Sequence, residues 1–373
     1  MIETENAHLR FAAESHPGMT GKQNEDRYGV TAFEDAGEAQ ERSVLAVLCD
    51  GIGGHRAGEV AAEMGVRLIT DTVTAGDGSQ PVETLSEAII HASQAIYQAS
   101  KADNGRAGMG ATCACAWVIG NRLYTANLGD SRIYLLRKRH FFQLTTDHTW
   151  IQEAMDAGII DAESGNGHPN AHIIRRYLGS KTPPEPDFRL WFFEGEDDEA
   201  ARANQGLQLQ PKDLILLCSD GLTDLVDDNA IREILMHKKL DKVPDILIGM
   251  ANEQGGHDNI TVVLLEAPKK KFKPKRPRKR KWMVGCIIIL AVVSFLLAST
   301  VVGFRWWKDR QETTLTPTIT EQVTEETVTE LPGEPMALPT QTATVADEDQ
   351  STSGEETSQP TITPWPTDTQ AVP

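Results

Sequence analysis

Met283 to Phe304 holds 22 consecutive residues without a charge. Wound as a helix at about 1.5 Å per residue, the run reaches about 33 Å, enough for a hydrocarbon core of about 30 Å. It separates whatever folds before it from whatever follows. Trp282 and the pair Trp306-Trp307 flank it, where interfacial aromatics belong. Lys269 to Lys281 sets ten basic residues and two prolines immediately before it. Prolines and mutual repulsion make that block an extended linker. Cations on the N-terminal side put that side in the cytoplasm, within reach of anionic lipid heads. Read separately, the apolar run would suit the core helix of a soluble protein and the basic block a nucleic-acid or nuclear-import patch. Side by side they favour a membrane anchor. Beyond the run the chain is rich in Thr, Pro, Glu and Ser, with few large apolar residues. Such a segment buries too little surface to offset the entropy of ordering. The expected organisation is a folded domain over 1–266, a basic juxtamembrane linker over 267–282, a transmembrane helix over 283–304 and a disordered extracytoplasmic tail over 305–373.

With 373 residues the chain exceeds one ordinary domain. A formal charge of −18 argues against nucleic acid as a general partner and suits a protein that gathers divalent cations. Cys49, Cys113, Cys115, Cys218 and Cys286 lie in apolar runs without metal-finger spacing, which fits a reducing compartment. Met1 to Asn6 is polar and acidic, unlike a secretory signal. Short runs rich in Val, Ile, Leu and Cys predict strands at Val44–Cys49, Ala111–Val118, Arg122–Asn127, Arg132–Leu136, Leu214–Cys218 and Ile260–Leu265. Helices are expected from near Ala57 and Val82, the second with Leu85, Ile89, Ala92 and Ile96 at helical spacing, and over 149–158, 229–237 and 243–254. Turns as short as Gly120-Asn121 part neighbouring strands. The expected class is therefore α+β, antiparallel sheets packed under helices rather than a parallel doubly wound sheet. Phe193 to Gln208, acidic and irregular, reads as a surface loop.

Chemistry gathers where apolar runs stop. Val44–Cys49 ends in Asp50-Gly51, with His55 a few residues on. A carboxylate at a strand end, beside backbone that lacks Cβ atoms, can approach a ligand closely. Leu214–Cys218 ends likewise in Ser219-Asp220-Gly221. Asp258 follows a glycine turn before the last strand, Asp130 lies in a turn between two apolar runs, and Glu25-Asp26 precede an expected strand. Each alone reads equally as a turn or capping acid. Gathered at one edge they would repel strongly without cations, and an all-oxygen set selects Mg²⁺ or Mn²⁺ over zinc.

Seven stretches extend the pattern: Asn24-Glu25-Asp26, Asp50-Gly51-Ile52-Gly53-Gly54-His55, Met109-Gly110-Ala111-Thr112, Gly129-Asp130-Ser131-Arg132, Leu144-Thr145-Thr146-Asp147-His148, Cys218-Ser219-Asp220-Gly221-Leu222 and Asp258-Asn259-Ile260-Thr261. In these the chain resembles, over about residues 10–266, the metal-dependent protein serine/threonine phosphatases of the protein phosphatase 2C type. The resemblance implies a four-layer αββα sandwich of two antiparallel sheets flanked by helices. It implies two Mn²⁺ or Mg²⁺ ions at one edge and hydrolysis of protein phosphoserine and phosphothreonine by a water that they activate. Asp50 would bridge the metals, Gly51 would give one its backbone carbonyl, and Asp220 and Asp258 would hold the other. Glu25 and Asp26 would act mainly through waters. A third, weaker metal of many bacterial members maps onto Asp130 and Asp220, with Asp224 a further candidate. His55 matches the family's general acid for the leaving alkoxide. His148 has no such assigned role and suits a structural hydrogen bond. One position departs from the family: Gly21 stands where many members carry a phosphate-gripping arginine, three residues before Asn-Glu-Asp. Lys22 is the candidate substitute, a point charge without bidentate geometry, with a merely solvated lysine as the even alternative.

Thiol phosphatase chemistry fails on spacing. It needs an arginine six positions after the nucleophile, and counting from Cys49 and Cys218 gives His55 and Asp224. A non-catalytic relative would be expected to have lost a metal acid, and none is missing. A partner-switching regulator of transcription factors would be expected to carry sensory domains that do not occur here. The expected partners are phosphorylated proteins, a serine/threonine kinase among them, and the membrane through a single span.

Overall fold

The computed structural model describes residues 1–312, apart from 6, 35–40, 53–56, 162–167, 171 and 271–280. The strands are β1 (Ile2–Glu3), β2 (Arg10–His16), β3 (Arg27–Glu34), β4 (Arg42–Cys49), β5 (Gly51–Ile52), β6 (Gly110–Ala111), β7 (Cys113–Ile119), β8 (Arg122–Leu128), β9 (Arg132–Arg137), β10 (His140–Gln143), β11 (Leu207–Gln208), β12 (Leu214–Cys218) and β13 (Ile260–Glu266). Two sheets result, ordered β1-β3-β4-β7-β8-β11 and β10-β9-β12-β13-β2, with β5-β6 as a small ribbon. Every pairing is antiparallel.

The apolar runs are continuous because both faces of each central strand are covered. Along β4, Val44, Ala46 and Leu48 face the second sheet, while Leu45, Val47 and Cys49 face a helical layer. Along β12, Ile215 and Leu217 face the first sheet, while Leu216 and Cys218 face helices on the other side. The first helical layer is α1 (Ala57–Ala75) and α2 (Pro81–Ala102). Proline in the first turn of α2 occupies a place where its missing N–H costs nothing. The outer layer on the second sheet contains α6 (Asp228–His237) and α7 (Val243–Glu253). Four layers and three buried interfaces give the expected αββα sandwich. Shorter helices are α3 (Trp150–Asp156), α4 (Asp198–Ala203) and α5 (Asp220–Thr223).

Two local expectations change. The acidic stretch 193–208 holds α4, capped by the Asp197 side chain, and ends in β11, which extends the first sheet along β8. Its acids sit at the helix start, where they complement the dipole. The last helix, α8 (Lys281–Glu312), runs past Phe304, so residues 305–312 are helical and do not begin an irregular tail. The described chain divides into two compact units, Met1–Ala291 and the part from Val292 onward. Within α8, Ile289–Lys308 is long and apolar enough to cross a membrane, and its side chains are not covered by protein. Its Ser299 and Thr300 hydroxyls donate back to the Phe295 and Leu297 carbonyls. The basic linker's central residues, 271–280, and the tail beyond Glu312 lie outside the described residues.

Candidate active site

One end of the two sheets collects every acid named from the sequence. Arg27 pairs with Cys49 in register, which sets Asp26 beside Asp50. Cys218 pairs with both Arg132 and Val262. That register brings the turn carrying Asp130, the start of α5 carrying Asp220 and the loop carrying Asp258 to the same edge. The alternation of β4 continues through Asp50, aiming it toward the space between the sheets.

Backbone and hydroxyl groups fix the cluster. The Asp50 N–H donates to Thr112 Oγ1 at 2.9 Å, and the Thr112 N–H donates to the Asp50 carbonyl at 2.8 Å. Asp26 is almost wholly buried, and its Oδ2 accepts from Ser219 Oγ at 2.8 Å and Thr261 Oγ1 at 2.7 Å. Asn259 joins two acidic loops: its Oδ1 accepts from the Glu25 N–H at 2.7 Å and its N–H donates to Asp258 Oδ1 at 2.9 Å. Gly51 and Gly58 touch backbone to backbone. A Cβ on Gly58 would lie 2.7 Å from Glu25 Oε2 and 2.9 Å from the Gly51 carbonyl carbon. The start of α1 thereby presses the Gly51 segment into place.

The acids repel one another through low-dielectric space. Burial pushes Asp50 well above the usual carboxylate range, and the charges of Asp26, Asp220, Asp130 and Asp258 add to the effect. Asp220 rises likewise from burial and from Asp130, Asp224, Asp258 and Asp26. Burial raises Asp26 to about 6 and Asp130 to about 7. Asp26 Oδ1 and Asp130 Oδ1 are buried without a hydrogen-bond partner. Buried oxygens normally find partners, so these two atoms, in an all-oxygen set of mutually repelling acids, fit hard divalent cations.

The remaining sequence candidates fall as follows. Asp258 is half exposed at the rim, and Lys22 Nζ lies 3.5 Å from its Oδ2. Gly21 is in the left-handed region at φ +75 with open space around it. His55 lies outside the described residues. His148 is buried; its Nδ1 accepts from the Gly129 N–H at 3.1 Å and its Nε2 lies 3.2 Å from Asp187 Oδ2. It braces the turn that presents Asp130, a structural use. Burial alone would raise Asp187, but hydrogen bonds from His148 and Arg189 outweigh it and hold the acid low. Cys49 and Cys218 are buried free thiols. A hydrogen bond with Cys113 and burial push Cys49 up, and burial pushes Cys218 up, so neither is poised as a nucleophile.

One residue of the site escaped sequence reasoning. His172 Nδ1 lies 3.5 Å from Asp224 Oδ2, and His172, Asp220 and Asp224 can each bring a ligand atom within 4.8 Å of the others. His172 comes from a stretch without periodicity or apolar runs, where no pattern marks it.

The chain is similar to known proteins over most of its folded part. The family model for protein phosphatase 2C matches residues 18–154. A serine/threonine phosphatase, stp, of Listeria monocytogenes is 36% identical over 254 residues, covering 67% of this chain and 92% of that protein. Protein phosphatase PhpP of Streptococcus pneumoniae is 35% identical over 229 residues, 59% of this chain and 85% of its own. The serine/threonine phosphatase of S. agalactiae superposes with a TM-score of 0.60 at 30% identity, covering 69% of this chain and 98% of that one. The catalytic domain of the phosphatase PstP, solved with two manganese ions, superposes with a TM-score of 0.55 at 33% identity, covering 69% and 97%.

Proposed function

The chain belongs to the protein phosphatase 2C family of metal-dependent serine/threonine protein phosphatases, and from that premise we propose that its acidic edge hydrolyses phosphoserine and phosphothreonine at the cytoplasmic face of a membrane, countering serine/threonine kinases. The observation that carries the site assignment is the pair of buried, unpartnered oxygens on Asp26 and Asp130, which with Asp50 and Asp220 make four carboxyls raised by burial and neighbouring negative charge.

Asp50, the Gly51 carbonyl, Asp220 and Asp258 would hold two divalent cations, with Glu25 and Asp26 contacting them mainly through waters. Asp130 and Asp220, with Asp224 and His172 beside them, would hold a third. When bound, such ions acidify a water and neutralise charge on phosphoryl oxygens. The residues do the rest. The rigid loops tied by Asn259 and Thr112 keep the acids from moving as charge develops, so little reorganisation is paid for during the reaction. In the hydrolysis, water adds in line to phosphorus, the bond from phosphorus to the seryl or threonyl oxygen breaks, and that oxygen takes a proton. His55 is the proposed donor, since histidine is the side chain whose unperturbed titration lies close to neutral pH. Lys22, at the mouth, offers a point charge to the incoming phosphate.

Support for the membrane location is the exposed apolar helix with Trp306 and Trp307 near its end, preceded by the basic block. The proposed organisation keeps residues 1–266 as the catalytic domain on the cytoplasmic side and the tail outside. Equilibrium dialysis against Mn²⁺ tests the site. Wild type should bind two ions tightly and a third weakly, and Asp50→Asn should lose the tight pair. Unchanged stoichiometry and affinity in Asp50→Asn would remove Asp50 from the metal site.

A further inference from the structure

A cavity of about 530 Å³ opens at the other end of the second sheet. The strands that carry the acids at one end reach it at the other. β9 runs from Arg132, beside the acidic turn, to Arg137, and β12 runs from Leu214 at the cavity to Cys218 at the acids. Five or six residues at about 3.3 Å each separate the two ends by roughly 17–20 Å.

The cavity floor is apolar, with Leu136, Leu214, Leu240 and Val243 among its lining, and its rim is cationic, with Lys138, Arg139, Lys212 and Lys238. All four cations are exposed, and among the described residues none has a carboxylate within 4.0 Å. The two acids in the lining are already engaged: Asp213 by Arg137 at 2.6 Å and Glu266 by Arg10 at 2.7 Å. Lys138 at φ 61 and Lys212 at φ 72 are the two non-glycine residues with positive φ among the described residues. Glycine would take that backbone conformation more readily. Lysine in its place twice, around one cavity, points to a use for the charge.

Position supplies the occupant. The Ala267 N–H donates to the Asp213 carbonyl at 2.8 Å, and the Lys212 N–H donates to the Ala267 carbonyl at 3.3 Å. Ala267 therefore ties the cavity wall to the point where the chain leaves the sandwich for the basic linker. About 14 residues separate Ala267 from Lys281, at most about 50 Å when extended. With the formal charge at −18, most of the protein is repelled by an anionic surface, and this patch is an exception. An anionic phospholipid has a phosphate for the rim and acyl carbons for the floor.

We propose that this cavity is a docking site for anionic phospholipid headgroups, which seats the domain on the bilayer with its acidic edge turned away toward the cytoplasm. The proposal rests on the membrane reading above, and its test separates the two. Residues 1–268 serve as the probe, because they contain all three buried interfaces of the sandwich. The variant is Lys138→Gly/Lys212→Gly/Lys238→Ser, whose glycines suit the positive φ and leave the fold intact. Wild type should co-sediment with phosphatidylglycerol-containing vesicles at least about tenfold better than with phosphatidylcholine alone, and the variant should lose at least about tenfold, with phosphopeptide hydrolysis unchanged. Equal sedimentation with both vesicles, or a variant that binds as wild type, overturns the proposal. Full competition by millimolar inorganic phosphate makes this a soluble-anion site and also overturns it. If alkaline carbonate releases the full chain from membranes while residues 1–268 still choose anionic vesicles, the anchor fails and the cavity stands. If the full chain resists extraction while residues 1–268 show no preference, the cavity fails and the anchor stands.

Discussion

Asp26 commits one carboxylate oxygen to Ser219 and Thr261 and leaves the other without a protein partner, although the residue is almost wholly buried. A buried acid in that state costs stability unless a cation completes it. Its neighbours Asp50 and Asp220 are half-buried, and burial and like charge raise both. Among the described residues, Lys22 is the one cation within 4.0 Å of Asp26, Asp50, Asp130, Asp220 or Asp258. It stands beside Gly21, the position where many family members have arginine, and its ammonium reaches Asp258. An exposed point charge of this kind contributes modestly. Lys22→Ala is expected to raise KM for a phosphothreonine peptide about threefold to fivefold, with kcat within about twofold. An unchanged KM would mean that Lys22 does not meet the phosphate.

At the scale of elements, the site depends on strand ends that stop in register and on one helix start that presses against them. Gly58 lies in the first turn of α1, and a Cβ there would enter the space of the Gly51 carbonyl carbon and the Glu25 carboxylate. Glu25 can swing aside, whereas the Gly51 backbone cannot move without shifting its carbonyl. Gly58→Ala is therefore expected to weaken Mn²⁺ binding at least about tenfold while the domain stays folded; unchanged affinity would show that the close approach does not set the Gly51 position. Much of this scale was legible in the sequence. Strands buried on both faces read as continuous apolar runs, and Asp-Gly closing two of them marked the edge that collects ligands. β4, β8, β9, β12 and β13 begin and end within two residues of expectation. Less legible were elements whose identity comes from pairing partners. β11 is two residues inside an acidic stretch and exists because β8 offers it an edge. His172 meets Asp224 only through the fold. α8 continues past Phe304 to Glu312 because a first charge ends an apolar pattern without ending helical backbone hydrogen bonding.

For the molecule as a whole, the crowded acids tie stability to pH. Asp26 and Asp130 rise from 3.8 to about 6 and about 7 in the fold. A raised folded pKa means that the native state holds its protons more tightly. The resulting stability is complete below about 3.8 and is lost as pH climbs through about 6 to 7. Without divalent metal, the Tm of residues 1–268 should fall between about pH 5 and about pH 8, and saturating Mn²⁺ should flatten that slope. A metal-free Tm that climbs over the same interval would contradict mutual repulsion as the dominant effect. The basic exit near Ala267 and the acidic edge occupy opposite ends of the second sheet, so the proposed anchoring would leave the acidic edge uncovered. The most direct measurement is the initial rate of phosphothreonine peptide hydrolysis by the full chain in detergent, with Mn²⁺, with EDTA, and for Asp50→Asn. The account predicts that EDTA and Asp50→Asn each lower the rate by at least about a thousandfold. A rate that survives EDTA, or an Asp50→Asn enzyme within a few-fold of wild type, would contradict it.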